Sequence, residues 1–333
     1  MKIILITPAR SSSRSGNATT TKRWARILRE LGHDVRVLGR YDGSAADLMI
    51  ALLAWRSADS IRDFRARFPQ RPLIVALSGT DIYEYLDRDP SPTLHSLACA
   101  DRLIALHELA QRRVPGQFRR KVRVVYQSAP LLHPSGRRGL RSFDVAVIGH
   151  LRKVKDPFRA AEAARLLPAA SQIRIVHLGA AETAGWAAMA KAEMELNPRY
   201  VWRGDRPRAE VRRLLGCARV MVLSSLSEGG ANVISEAVTA GVPVLASRID
   251  GSVGLLSRAY PGYFPAGDTA ALARLLRRIE MSPEFLARLH RAIARRAHLF
   301  RPAREKAAWK ALIREIVPGA RPGLSRQPRA RMI

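Results

Sequence analysis

Cysteine is nearly absent: Cys99 and Cys217 are the only two in 333 residues. They stand far apart, and two isolated thiols give neither a disulfide framework nor a metal-ligand spacing. Long apolar runs are missing too. None approaches the ~18 residues that a spanning helix needs, which argues against an integral membrane protein. The opening MKIILITPAR is broken by Pro8 and Arg10 and lacks a small-residue cleavage site, so it reads as a first buried strand and not a signal peptide. Aromatics are scarce at 6% within a 47% hydrophobic content. This composition fits a globular chain with room for two domains at roughly 100–200 residues each. A cytoplasmic location is the default expectation.

Acidic residues are the other shortage, 28 against 57 Lys+Arg, for a formal net charge of +29. Of the basic residues only eight are lysines. Arginine used almost everywhere lysine would serve is what codon supply alone would produce, and that reading stays open beside a functional one. A nucleic-acid binder gathers its charge with stacking aromatics on one face. Here arginines are spread over both halves, so no nucleic-acid partner is expected, and small polyanionic ligands suit a field of distributed cations better. The tail over 318–333, rich in Pro, Gly and Arg, is expected to be disordered.

What is present is an alternation of short apolar runs with amphipathic segments. KIILIT, a Ser/Gly loop, TTTKRWARILRELG and DVRVLG read as strand, loop, helix, strand, a right-handed βαβ unit. ADLMIALL, RPLIVALSG, DRLIALH and KVRVVYQ continue the pattern of a parallel sheet buried on both faces. Between Ala129 and Ser142 the text turns to Pro, Gly and Arg, which marks a linker. A second set of strands follows in FDVAVIGHL, IRIVHLG, RYVWRG, RVMVLSS and VPVLAS. The expected fold class is α/β, two doubly wound parallel-sheet domains over 1–135 and 142–300 facing across a cleft. A helix over 301–317 is expected to return to the first domain. Ligands of such folds bind where the carboxyl ends of the strands face each other.

Three segments have chemistry in them. In SEGGANVISEAVTAGVPVLAS the loop after a strand opens a helix, whose free first-turn amides and dipole favour an anion such as a diphosphate. Gly229 and Gly230 allow close backbone approach, with Ala231 and Asn232 at the helix start. Glu228 and Glu236 are carboxylates able to accept from sugar hydroxyls, one holding a hexose and the other a ribose. The alternative is that Glu228 complements the helix dipole and Glu236 is a solvated helix residue. In IGHLRKVKDP, Arg152 and Lys155 form a basic pair that could neutralise a pyrophosphate leaving group. After the first strand, Ser15, Gly16, Asn17 and Thr19 lead into a helix as an oxyanion nest, with Arg10 and Arg14 beside it. Asn17 or Thr19 also serves as a plain N-cap. Thr80, Asp81 and His107 follow strand ends and face the acceptor side, although Asp81 is equally suited to capping the next helix. The histidines His33, His95, His133, His177, His290 and His298 show no ligand spacing, and no metal is expected.

With its flanks, the Glu-Gly-Gly to Gly-Val-Pro stretch resembles the retaining glycosyltransferases of family 4, which have the GT-B fold of two facing Rossmann-like domains. The resemblance implies that Glu228 contacts the donor sugar and Glu236 the ribose hydroxyls. IGHLRKVKDP is similar to that family's Gly-x-Leu-x-x-x-Lys pattern, which puts Arg152 and Lys155 on the donor diphosphate, and VWRGD to its nucleobase segment, with Arg203 and Gly204. The N-terminal loop, LSGTDIY and EGGANVISEA together resemble the selenosugar synthase subfamily of selenoneine biosynthesis, over the chain to about residue 315. That subfamily joins selenophosphate to a UDP-activated sugar. The implied substrates are a UDP-hexose, UDP-N-acetylglucosamine by preference, and selenophosphate supplied by a selenophosphate synthetase, with no further cofactor. Selenium attacks the anomeric carbon, UDP leaves, and phosphate is released. A soft anionic nucleophile needs little general-base help. The resemblance places a histidine near Leu53 in ALLAWRSA; this chain departs there, so no acid or base role is transferred to that loop. An ordinary transferase acting on a lipid or glycan hydroxyl, or a basic nucleic-acid-binding protein, are the competing readings.

Overall fold

The computed structural model describes residues 1–8, 16–132 and 143–317. The apolar runs form strands because a parallel sheet covered on both faces has no solvent side to demand alternation. The first sheet consists of β1 (Lys2–Ile6), β2 (Asp34–Leu38), β3 (Leu48–Leu52), β4 (Leu73–Ala76), β5 (Arg102–Ala105) and β6 (Val122–Val124), in the order β2-β1-β3-β4-β5-β6. The second consists of β7 (Phe143–Ile148), β8 (Ile173–Leu178), β9 (Tyr200–Trp202), β10 (Val220–Leu223), β11 (Val244–Ser247) and β12 (Tyr263–Phe264), in the order β12-β11-β10-β7-β8-β9. Every strand pair is parallel. Strand β12, two residues long, is too short to leave a sequence pattern and was not anticipated.

Helices α1 (Gly16–Glu30), α2 (Ala58–Arg67), α3 (Leu86–Arg88) and α4 (Pro90–Cys99) accompany the first sheet. Helices α5 (Arg159–Arg165), α6 (Ala184–Leu196), α7 (Arg208–Cys217), α8 (Asn232–Thr239), α9 (Asp250–Leu256), α10 (Thr269–Met281) and α11 (Pro283–Ala294) accompany the second, and α12 (Pro302–Ile316) closes the described chain. Helix α1 buries Trp24, Ala25, Ile27 and Leu28, an apolar stripe at helical spacing. It ends before Gly32, whose φ of +86° is the left-handed turn that stops a helix.

Helix α12 follows the second sheet in sequence yet packs on the first. Trp309, Leu312 and Ile313 join Trp24, Ile27 and Leu28 in one apolar cluster beneath β1, β3 and β4. The Trp24 and Trp309 rings meet edge to face, 5.0 Å apart at 72°. Trp309→Ala is therefore expected to cost about 3–5 kcal/mol of stability. Urea unfolding checks this, and a loss under about 1 kcal/mol would mean α12 is dispensable to the first core.

In the first sheet the strand order reverses between β1 and β3, and in the second between β7 and β10. Crevices open at such switch points because the flanking connections leave in opposite directions. The loop after β10 bears Glu228, and the one after β7 bears Arg152 and Lys155. Among the described residues no helix is long and apolar enough to cross a membrane.

Candidate functional site

The basic loop after β7 and the glutamate loop after β10 are sewn together. Leu226 N–H donates to the Val154 carbonyl at 2.9 Å, and Ser224 Oγ donates to the Lys155 and Asp156 carbonyls at 3.1 and 2.8 Å. Asp156 adopts a left-handed φ of +45° that turns this loop back. Lys155 Nζ forms an ion pair with Glu228 Oε1, which also accepts from Ser225 Oγ at 2.6 Å. The two residues expected to act on the donor are thus in direct contact. Arg152 lies beside them, its Nε buried and without a partner among the described residues.

His150 stands at the same place and was missed by sequence reasoning, although it lies within IGHLRKVKDP. Its Nδ1 accepts the Ala180 amide at 3.1 Å, which in the neutral ring puts the proton on Nε2. Burial first, then the charge of Arg152, pushes its pKa down. It lines a small pocket with Gly149, Lys155, Ser224 and Ser225. A neutral imidazole donor there adds to the cationic pair.

Glu236, one turn into α8, accepts from Arg208 Nη2 at 3.2 Å. Burial pushes its carboxyl pKa up, opposed by Arg208, Arg23 and Arg212. It is a carboxylate with an accepting oxygen to spare, as a diol would need. Arg203 and Gly204 leave β9 at the sheet edge; Arg203 is exposed and Gly204 has a φ of +72°.

The opposing domain comes into contact with this loop, and several expectations change there. Gly229 and Gly230 lie against the other domain. A Cβ on Gly229 would lie 2.2 Å from the Gly79 nitrogen, and one on Gly230 2.5 Å from Leu106 Cβ. Ala231 precedes α8 as its N-cap residue. The side chain of Asn232 turns to the first domain: Oδ1 accepts from Arg23 and Nδ2 donates to the Gly16 carbonyl and Thr20 Oγ1.

On the acceptor side, Arg10, Arg14 and Ser15 lie outside the described residues, as do His133 and the 318–333 tail. Gly16, Asn17 and Thr19 form the first turn of α1 itself, so neither Asn17 nor Thr19 is the cap. Asp81 is a correction. Its carboxylate is 0% exposed and accepts from the amides of Ala54, Trp55 and Ser78 and from Ser78 Oγ, at 2.8–3.1 Å. It clasps two loops and has no face left for an acceptor; burial pushes its pKa up. One clasped loop follows Leu53, which is buried with a left-handed φ of +66°. Thr80 Oγ1 lies 2.8 Å from Ser78 Oγ, half-buried.

His107 is the second correction. It is 0% exposed, packed so closely on α9 that a Cβ on Gly254 would sit 2.4 Å from its Nδ1. Both ring nitrogens lack partners among the described residues. Burial pushes its pKa down to about 4, and that of His177, held by Gly149 O and Tyr200 Oη, down to about 4 as well. Between pH 6.5 and 4 the unfolded chain binds these protons and the folded chain does not, so stability rises with pH across that window. On acidification through it, each buried histidine is expected to remove on the order of 3 kcal/mol. Urea unfolding at pH 7 and 4.5 checks this; His107→Leu should flatten part of the slope, and an unchanged slope would sink the assignment.

Among the described residues no group of three His, Cys, Asp or Glu side chains could hold a metal ion. Comparison with known proteins follows the same lines. The family model "Glycosyl transferases group 1" matches residues 132–296. The D-inositol 3-phosphate glycosyltransferase of Streptomyces avermitilis is 39% identical over 84 residues, which is 25% of this chain and spans only 18% of that relative's length. Among solved structures, Anabaena Alr3699/HepE in complex with UDP superposes with a TM-score of 0.75 at 16% identity, covering 95% of this chain and 100% of that one. The sucrose-phosphate synthase of Thermosynechococcus elongatus gives 0.78 at 18% identity, covering 95% and 98%. At such identities the likeness speaks for fold. The chain therefore has the two-domain GT-B architecture, and over residues 132–296, where the Lys155–Glu228 pair lies, it matches the model of the group 1 glycosyl transferases.

Proposed function

We propose that this protein is a glycosyltransferase that takes a UDP-hexose on its second domain, with UDP-N-acetylglucosamine as the preferred donor and selenophosphate as acceptor. The observation that bears most weight is the junction of Lys155, Glu228 and the amino end of α8 at the β7/β10 switch point. Cations and helix amides there suit a diphosphate, and UDP is the ligand in the similar Anabaena structure. Arg152, Lys155 and the α8 amides hold the diphosphate, Glu228 the hexose, and Glu236 the ribose. Lys155 balances the charge that grows on UDP as the anomeric C–O bond breaks.

The acceptor part rests on the sequence resemblance and on the polar first turn of α1 facing α8. Selenium of selenophosphate attacks the anomeric carbon and UDP departs with the bonding pair. Water then attacks phosphorus, and the Se–P bond breaks to give the selenosugar and phosphate. Asn17 and Thr19, in the first turn of α1, are the groups that would bind the phosphoryl oxygens in this reading. Assay of UDP release from UDP-N-acetylglucosamine tests both halves. Release only with selenophosphate, with thiophosphate slower and phosphate competing, is the expected result. Release with a lipid or glycan hydroxyl and none with selenophosphate would overturn the acceptor, and DNA binding without UDP release would overturn the enzyme.

A further inference from the structure

Asn232 opens α8 in the second domain, yet its side chain is engaged by α1 in the first. Its Oδ1 accepts from Arg23 Nη1 at 3.0 Å, and its Nδ2 donates to Gly16 O at 3.3 Å and Thr20 Oγ1 at 3.2 Å. Arg23 is only 8% exposed. A guanidinium that deep needs a counter-charge. It has one in Glu305 of α12, 1% exposed, which accepts from Arg23 Nε at 3.1 Å and also from Trp24 Nε1 and the Ser128 amide, both at 2.8 Å. Three segments far apart in sequence are thereby tied to one side-chain amide at the amino end of α8. Gln127 adds to the tie by donating to Thr20 Oγ1 at 3.1 Å.

The consequence is geometric. The first turns of α1 and α8 belong to different domains, and each leaves amides without an intrahelical acceptor. For two substrates held one on each to react, the turns must keep a fixed separation, since an error near 1 Å costs about 100-fold in rate. The contact between Gly79 and Gly229 limits how closely the loops approach, but backbone contact alone does not stop them sliding. A planar fork bonded at one end to Glu305 and at the other to Asn232 does.

We propose that Arg23 is a positioning residue that holds the two domains in register at the reaction site by fixing Asn232. This rests on the reading of the α8 amino end as the diphosphate seat. The residue touches no substrate itself; it acts through Asn232, with Glu305 as its anchor.

The test is a double-mutant cycle between Arg23→Lys, which keeps the charge for Glu305, and Asn232→Ala. The readouts are kcat, UDP affinity by calorimetry, and the radius of gyration by small-angle scattering. Each single variant is expected to lower kcat about 10–100-fold while UDP affinity stays within about twofold, since the donor residues all lie in the second domain. The double variant should lose no more than the worse single, because both remove one connection. Losses that multiply, an unchanged kcat, or a fall in UDP affinity as large as the fall in kcat would overturn the proposal. Should no sugar nucleotide be turned over at all, the functional reading fails on its own. Scattering still decides the latch: both singles are expected to show a larger radius than wild type, and an unchanged radius overturns it. If Arg23→Lys does not fold, Asn232→Ala alone decides by the same kcat, affinity and radius outcomes.

Discussion

Lys155→Ala is expected to lower kcat for sugar transfer by about 100- to 1000-fold, the usual loss when one group that stabilises developing charge is removed. Lys155 has two tasks. It pairs with Glu228, and in the proposed function it meets the charge that builds on the leaving diphosphate. UDP affinity should weaken by roughly 1–3 kcal/mol, the worth of one charge-assisted hydrogen bond. Glu228→Ala is expected to spare UDP and cut turnover, because a hexose ligand is felt only when the hexose is present. The pair shares a hydrogen bond, so the double variant should lose less than the product of the two singles. Calorimetry with UDP and steady-state kinetics on the four proteins check this. Unchanged UDP affinity in Lys155→Ala would remove the donor-site assignment. Multiplicative losses would mean that the two side chains act apart despite their contact.

Gly229→Ala is expected to have the second largest effect. The added methyl carbon would stand 2.2 Å from the Gly79 nitrogen and 2.8 Å from the Gly79 Cα and the Ser78 carbonyl carbon. All three are backbone atoms, unable to swing aside as the end of a side chain can. The two loops must separate, and the domains with them. Turnover should fall about 100-fold, the cost of misplacing reactants by about an ångström. UDP affinity should stay close to wild type, because Lys155, Glu228 and Glu236 keep their positions within one domain. Gly79→Ala, whose methyl would lie 2.5 Å from the Gly229 nitrogen, should reproduce the effect from the other side. Wild-type kcat in both variants would show that the loops need not touch for catalysis, whereas a parallel loss of UDP affinity would place the damage in the second domain itself.

The strands of both sheets were legible because each is a short apolar run closed by Gly, Pro or Asp, and a strand buried on both faces needs nothing more. The two loops proposed to hold the donor were legible because KVK after β7 and Glu-Gly-Gly after β10 are local patterns. His150 escaped notice inside one of those patterns, since only the Ala180 amide, 30 residues on, assigns its tautomer. For a related reason the acceptor-side reading of Asp81 fails while its capping alternative holds, Ser78 and Asp81 exchanging bonds at the helix start. A carboxylate after a strand end suggests a ligand, and nothing local shows that the amides of Ala54 and Trp55 will fill it. His107 likewise faces the cleft in sequence order, and only the approach of α9 closes it off.

By itself, the amino-acid sequence determined the elements, their order and the chemical character of the two loops proposed as the donor site, because apolar period, turn residues and adjacent charges act over a few residues. It also determined where glycine stands. Which groups meet was decided by tertiary structure alone: Gly79 against Gly229 and Arg23 on Asn232 across the cleft, and Trp309 on Trp24 within the first core. The physical reason is range. Hydrogen bonds and steric exclusion act within about 3–4 Å, and residues 150 or more positions apart come within it only through the packing of both domains and the return of α12 to cover the first sheet.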